Sequence, residues 1–353
     1  MKNQSKSKNG KSIKPKKQKA KKQWVVMIND CAYDGRDIVY ELKKENFPIV
    51  HILRTRSLWD KTFNIALKIF RAKGALYHVN YALQDALLTI FLKKMIGRKP
   101  VIVQCPGSDL RWETTTTQKY YQRIIKFNVT HADQVFYNDP DISKKAKELS
   151  PTAIWLPIPT NLDVFYPKDI PPSDDTRLKA FYPNALSERI RGSLSFIKAF
   201  NIFAKQYENA ILDVVKWGPD LLHAIRLCEK AGTLNKKVRF IPKIDHYNMA
   251  ETYRNHDLTV GVFQSGIVPS VGLESWAVKR PLLNYINSKL YPPFERISVR
   301  TIDKIVDALH QLSDAKTRDK LANAGYKYVL QYHDSKKLAQ KVKKVYNRLL
   351  EKN

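Results

Sequence analysis

Short runs of consecutive apolar residues alternate with stretches in which apolar positions recur every three or four residues, and this rhythm persists from residue 24 to residue 351. Apolar runs bounded by polar turns predict buried strands, and the wider spacing predicts helices with one covered face. In the first half, strands are predicted at 24–28, 49–53, 75–79, 101–104, 134–137 and 153–156. Helices at 36–45, 63–71, 83–96, 119–129 and 142–149 fall between them. In the second half, strands at 178–182, 210–216, 238–241, 258–263 and 281–285 alternate with helices at 193–206, 221–231, 247–254 and 271–278. Helices at 302–312, 315–331 and 335–351 close the chain. Such alternation implies an α/β fold with parallel sheets. It predicts two doubly wound, Rossmann-like domains facing one another across a cleft, with ligands at the carboxyl ends of both sheets.

The length of 353 residues fits two domains. The stretch 168–175, with two adjacent prolines and three aspartates, reads as the linker between them. The expected organisation is a tail over 1–22, a first domain over 23–170, a second over 171–330, and a final helix at 331–353 packing back on the body. Charge adds a second feature. Lys and Arg number 62 against 33 acids, for a net charge of +29, and the tail holds ten lysines and no acid. A Lys/Ser/Asn/Gln tail has nothing to bury and is expected to be disordered. Only five apolar residues, 24–28, follow it before Asn29-Asp30, which is not the pattern of a secretory leader. No apolar stretch approaches the roughly 20 residues of a membrane-spanning helix. The remaining 331 residues still carry +19, so an anionic partner is expected: a membrane surface, a phosphorylated substrate or a nucleic acid. The last is disfavoured by the lack of a recognisable nucleic-acid motif. Cys31, Cys105 and Cys228 are too dispersed for a metal site. An odd, sparse set suits a reducing cytosol.

Candidate chemistry concentrates in residues 258–285. A predicted strand ends near Phe263, and a loop with Gly266, Pro269, Ser270, Val271 and Gly272 leads into a helix carrying Glu274. Glycines let phosphates approach the backbone, and a helix N-terminus presents unpaired N–H groups to a diphosphate. A carboxylate in the first turn suits the hydroxyls of a ribose. The plainer reading is a tight turn with a carboxylate that complements the helix dipole. In the first half, His78 ends a predicted strand on the cleft side, where an imidazole can hydrogen-bond a ligand or face developing charge. The loop 29–35 with Asp30, Asp34 and Gly35, and the loop 106–111 with Gly107, Asp109 and Arg111, are candidate ligand contacts. Asp139-Pro140-Asp141 brings two carboxylates together, but Asp141 ahead of a helix reads as an N-cap rather than a cation ligand. Neither an HExxH pair nor a Walker phosphate loop occurs.

Four segments taken in order resemble the retaining, GT-B-fold glycosyltransferases of family 4, over most of residues 24–350. They are the 106–111 glycine-aspartate loop, the 156–167 segment between the domains, Ile190-Arg191-Gly192 ahead of the 193–206 helix, and the 266–281 stretch with Gly272, Glu274 and Pro281. The resemblance implies transfer of a sugar from a nucleoside diphosphate donor, with retained anomeric configuration and no metal or other cofactor. Glu274 would hold the donor ribose. Arg191 and the 270–272 backbone would face the diphosphate, and the first domain would take a glycan or lipid-linked acceptor. Two departures stand out. The family's first glutamate falls at Gly266, and the first residue of its basic pair falls at Leu186, leaving Arg189 as the nearest substitute. A catalytically degenerate glycan-binding or partner subunit is therefore the alternative. The basic tail adds the expectation of a cytoplasmic protein working peripherally at the inner face of an anionic membrane.

Overall fold

The computed structural model describes residues 23–55, 57, 59, 63–111, 119–169 and 177–352. The Lys-rich tail and most of the 168–175 stretch lie outside the described residues. The first half runs β1 (Val25–Ile28), α1 (Asp34–Lys44), β2 (Ile49–Ile52), α2 (Ile65–Arg71), β3 (Leu76–Asn80), α3 (Gln84–Thr89), β4 (Val101–Cys105), α4 (Lys119–His131), β5 (Gln134–Tyr137), α5 (Ser143–Leu149) and β6 (Ile154–Trp155). The second half runs β7 (Leu178–Tyr182), α6 (Glu188–Arg191), α7 (Ser193–Gln206), β8 (Ala210–Val215), α8 (Leu221–Ala231), β9 (Val238–Ile241), α9 (His246–Arg254), β10 (Leu258–Val260), α10 (Ser270–Ala277), β11 (Leu282–Asn284), β12 (Ile297–Ser298), α11 (Ile302–Leu312), α12 (Ala315–Tyr332) and α13 (Ser335–Glu351).

Each half holds one six-stranded sheet, in the orders β2-β1-β3-β4-β5-β6 and β12-β11-β10-β7-β8-β9, and every pairing is parallel. Strand order reverses between β1 and β3 in the first sheet and between β7 and β10 in the second. Those switch points open a crevice at the carboxyl strand ends, which is where doubly wound sheets take ligands. Central strands such as β1, β4 and β8 are buried along their whole length because helices cover both faces.

The predicted 83–96 helix is two segments: α3 passes into a π-helical turn over Ile90–Ile96. β12 went unpredicted, since a two-residue strand carries no pattern and exists only through its pairing with β11. The chain changes cores earlier than the proline-rich stretch implied. Leu156 is buried in the first core and Phe165 in the second, so the crossing lies between them. The return lies alongside it, because Tyr328 and Val329 of α12 belong to the second core and Leu338 of α13 to the first. The two crossings are joined by hydrogen bonds from Thr160 N to the His333 carbonyl (2.7 Å) and from Ser335 N to the Thr160 carbonyl (3.1 Å). The final helix α13 covers the first sheet through Leu338, Val342 and Tyr346.

Candidate functional site

On the second-domain side, β7 ends in the turn that carries Asn184. Its Nδ2 donates to the Val260 carbonyl (3.0 Å) and the Gly261 carbonyl (3.2 Å), tying the loop to the carboxyl end of β10. Its Oδ1 accepts from Arg191 Nη1 (3.0 Å), so the switch point itself aims the guanidinium. Burial lowers the Arg191 pKa against a favourable interaction with Tyr182. A half-buried cation of this kind gains from a nearby anion. Arg189 is exposed. The N-terminus of α7 is already occupied: the Glu188 carboxylate accepts from Leu194 N (2.7 Å) and Ser195 N (3.1 Å).

Helix α10 starts after Pro269 and is short of acceptors for its first N–H groups, those of Ser270 and Val271. Gly272 has a packing reason for its identity, since a Cβ would stand 2.5 Å from Leu282 Cδ2 on β11. Gly266 is in the left-handed region, with φ +68°. The glutamate that the resemblance leads one to expect there would need a conformation that costs an L-residue about 1–2 kcal/mol.

Glu274 is 8 % exposed and doubly held. Its Oε1 pairs with His246 Nε2 and its Oε2 accepts from the Tyr253 hydroxyl, both at 2.8 Å. Burial pulls the His246 pKa down, but the hydrogen bond and charge of Glu274 outweigh it, and the net shift is upward. Tyr253 is pushed well up by burial and then by Glu274. Sequence reasoning missed both partners. They come from α9, distant from Glu274 along the chain, and neither stands in a recognisable motif.

His246 also touches the first domain. Its ring stacks on Tyr33 with centroids 3.7 Å apart and planes 8° from parallel. Tyr33 ends the β1–α1 loop in a left-handed conformation (φ 71°), with the Arg36 guanidinium 4.9 Å from its ring centroid. This loop and the first turn of α1 are rich in carboxylates. Asp30 accepts from Gly35 N (2.9 Å) and pairs with Arg36 (2.9 Å). Asp34 accepts from Asn138 Nδ2 (2.9 Å) and is driven well above the ordinary carboxyl range by burial and then by Asp30, Asp37, Asp139 and Glu274. Asp37 is raised to about 7, mainly by burial. The cleft wall of this strongly cationic chain is therefore locally acidic.

Four expectations for the first domain change. His78 does not end its strand: it lies mid-β3, is 0 % exposed, and its Nδ1 hydrogen-bonds the Tyr346 hydroxyl of α13 at 2.7 Å. Burial lowers its pKa to about 3, so it is a neutral core residue on the face covered by α13, away from the cleft. Asp109 is likewise 0 % exposed and accepts from the N–H groups of Gly107 (3.2 Å), Leu110 (3.0 Å) and Ala82 (3.2 Å). It shapes its loop from within instead of offering a carboxylate to an acceptor. Arg111 is bound to Asp139 (2.5 Å) and Asp141 (2.6 Å). Asp141 accordingly serves as an ion-pair partner and not as an N-cap; it lies in a 3-10 turn over Pro140–Ile142, and α5 follows that turn. Asp139 is nonetheless raised to about 6, because burial outweighs the guanidinium. Among the described residues, no group of three or more His, Cys, Asp or Glu is arranged to hold a metal ion.

The sequence matches no protein-family profile and no curated protein. Its fold does match solved structures. Sucrose-phosphate synthase from Thermosynechococcus elongatus is 15% identical, with 94% of this chain and 100% of that one aligned and a TM-score of 0.75. HepE from Anabaena, solved in complex with UDP-glucose, is 11% identical over 92% of this chain and 99% of that one, with a TM-score of 0.72. A protein from Listeria monocytogenes described as a UDP-N-acetylglucosamine 2-epimerase is 12% identical over 94% and 98%, with a TM-score of 0.62. At such identities the likeness establishes the fold, which is GT-B: two facing Rossmann-like domains. Fold alone hosts several chemistries, so activity has to be argued from the site.

Proposed function

We propose that this protein is a glycosyltransferase that moves a sugar from a nucleoside diphosphate donor to a hydroxyl of an acceptor in the cleft. The observation that carries this reading is the second-domain switch point. There Asn184 aims the half-buried Arg191 from the carboxyl edge of the sheet, and α10 opens beside the same edge with Glu274 in its second turn. A guanidinium and a helix N-terminus both favour a diphosphate. Each Glu274 oxygen accepts one hydrogen bond and keeps a further lone pair, so the carboxylate can still accept from a ribose hydroxyl while His246 and Tyr253 fix its direction. A fold relative solved with UDP-glucose supports the donor class.

In the proposed reaction, the bond from the anomeric carbon to the diphosphate oxygen breaks and a bond to the acceptor oxygen forms. The acceptor approaches from the face the diphosphate leaves, and its proton passes to a departing phosphate oxygen, which retains configuration. Arg191 and the first N–H groups of α10 offset the charge growing on the diphosphate, a task that requires no divalent cation in this scheme. The carboxylates of the β1–α1 loop and the first turn of α1, Asp30 and Asp37 foremost, accept hydrogen bonds from acceptor hydroxyls. The acceptor is proposed to be lipid-linked or at the cell surface. The tail at 1–22, with its ten lysines, would hold the protein at the inner, anionic face of a membrane, each lysine contributing about 1 kcal/mol near such a surface.

A second reading is a catalytically degenerate glycan-binding or partner subunit, favoured by Gly266 at the family's glutamate position. Thermal shift against UDP, GDP, ADP and CMP with their sugar conjugates separates the two. A nucleotide at 100 times its dissociation constant adds roughly 2.7 kcal/mol to stability. The expected result is a shift with one base, absent in Glu274→Ala, together with sugar turnover by the wild type. No shift at millimolar ligand refutes the donor site, and a shift without turnover selects the degenerate reading.

A further inference from the structure

The flank of the first domain formed by α2 and the π-helical turn leaves large apolar side chains in water. Phe63, Leu67 and Phe70 recur at helical spacing and are 66 %, 44 % and 67 % exposed, while Ile65 and Ile69 face the core. The Trp59 ring, 69 % exposed, lies 5.0 Å from that of Phe63. The π-helical turn adds Phe91 and Ile96, also exposed. The two segments are neighbours, because Lys93 Nζ donates to the carbonyls of Phe70 (3.0 Å) and Ala72 (2.9 Å).

The charge beside this apolar set is mostly positive; Asp60 adjoins Trp59 in sequence and Asp133 pairs with Lys94 at 2.7 Å. From residue 61 to residue 108 the sequence contains eight Lys or Arg and one acid, Asp85. That acid is buried and paired with Arg54 at 2.7 Å. Arg71, Lys73, Arg98 and Lys99 are exposed beside the aromatic cluster. A single-stranded nucleic acid would be met by the cations and by the aromatic rings, leaving Leu67 and Ile96 in water. Exposed Leu and Ile side chains gain only where hydrocarbon replaces water.

We propose that this face docks on an anionic lipid surface. The aromatic and aliphatic side chains enter the boundary between headgroups and acyl chains, and the surrounding cations meet the lipid phosphates. This docking is independent of the tail.

The test is co-sedimentation of the full chain with vesicles of phosphatidylcholine alone and of phosphatidylcholine with phosphatidylglycerol. The wild type is expected to bind the anionic vesicles. Phe63→Ser/Phe70→Ser/Phe91→Ser, which keeps the tail and the cations, is expected to lose about tenfold or more in partition. Arg71→Glu/Lys73→Glu/Arg98→Glu, which keeps the apolar set, is expected to lose its preference for the anionic lipid. Ile202→Ser/Leu222→Ser, on exposed residues of the second domain, is expected to bind as the wild type does. All variants are exposed-site changes, and their melting temperatures are read alongside. Binding of the aromatic triple variant equal to the wild type overturns the proposal, since the tail then accounts for it. A wild type indifferent to vesicles overturns it too, as does a triple variant that loses only self-association or a charge variant that loses only binding to poly-U. No donor or acceptor is present in the assay, so its outcome is independent of the proposed transfer reaction.

Discussion

Replacing Gly266 with alanine should destabilise the second domain even though no side-chain contact is removed. The backbone at Gly266 has φ +68°, where an L-residue brings its Cβ against the following carbonyl at a cost of about 1–2 kcal/mol. The new Cβ would also stand 3.1 Å from both Asn287 Cβ and Tyr285 Cε1, inside ordinary van der Waals distance. Rotation away from the strain is opposed by the hydrogen bond from Asn287 N to the Gly266 carbonyl (2.9 Å). Against this, alanine restricts the unfolded chain and returns about 0.4–1 kcal/mol. The net loss is about 1 kcal/mol, or roughly 2–4 °C in melting temperature for a domain of this size. Calorimetry of the full chain measures it. Gly266→Asn brings the same Cβ but tolerates the left-handed region, so it should melt between alanine and the wild type. Gly266→Glu, which restores the expected family residue, should be no more stable than alanine and no more active than the wild type. An alanine variant that melts at or above the wild type, or a glutamate variant with raised sugar turnover, would refute the reasoning and mark Gly266 as a lost catalytic residue without a backbone cause.

Two further outcomes follow from the described contacts. Tyr346→Phe removes the hydrogen-bond partner of His78 Nδ1 and should cost about 1–3 kcal/mol in denaturant unfolding, with nucleotide binding unchanged; weakened nucleotide binding at undiminished stability would return His78 to the cleft. Asp37 and Asp139 are raised from the ordinary 3.8 to about 7 and about 6. The folded chain then holds protons that the unfolded chain has released, so their contribution is full below about pH 4 and falls as pH rises to about 7. Asp37→Asn should flatten the upper part of that decline in melting temperature between pH 5 and 8, and an unchanged slope would disprove the assignment.

The alternation of strands and helices was legible because each buried parallel strand needs a continuous apolar run and each covering helix a single apolar stripe. Where pairing or packing rather than pattern makes the element, legibility ended. β12 exists because Leu283 and Asn284 pair with it, and the π-helical turn follows α3 with no breaker residue between them to mark it. The crossing between cores was misplaced because proline content marks stiffness, whereas the real crossing is marked by which core Leu156 and Phe165 enter.

For the site, local order pointed to Arg191, the α10 turn and Glu274, since a strand, loop and helix N-terminus are consecutive in sequence. What surrounds them came from elsewhere. His246 and Tyr253 reach Glu274 from α9, and Tyr33 meets His246 from the other domain. The same cause moved His78, Asp109 and Arg111 out of the candidate site. Each is polar and lies near a predicted strand end, yet the fold engages it: His78 through Nδ1 with Tyr346, Asp109 with the N–H groups of its own loop and Ala82, and Arg111 with Asp139 and Asp141.

Sequence alone determined the fold class, the two-sheet organisation, the basic character and the turn that carries Glu274, because these depend on composition and on neighbours along the chain. Tertiary structure alone decided which polar groups remain available to a ligand, where the acidic wall of the cleft stands and which apolar side chains are left in water. Those depend on burial and on partners distant in sequence, and a polar side chain becomes functional only when the fold has not already satisfied it.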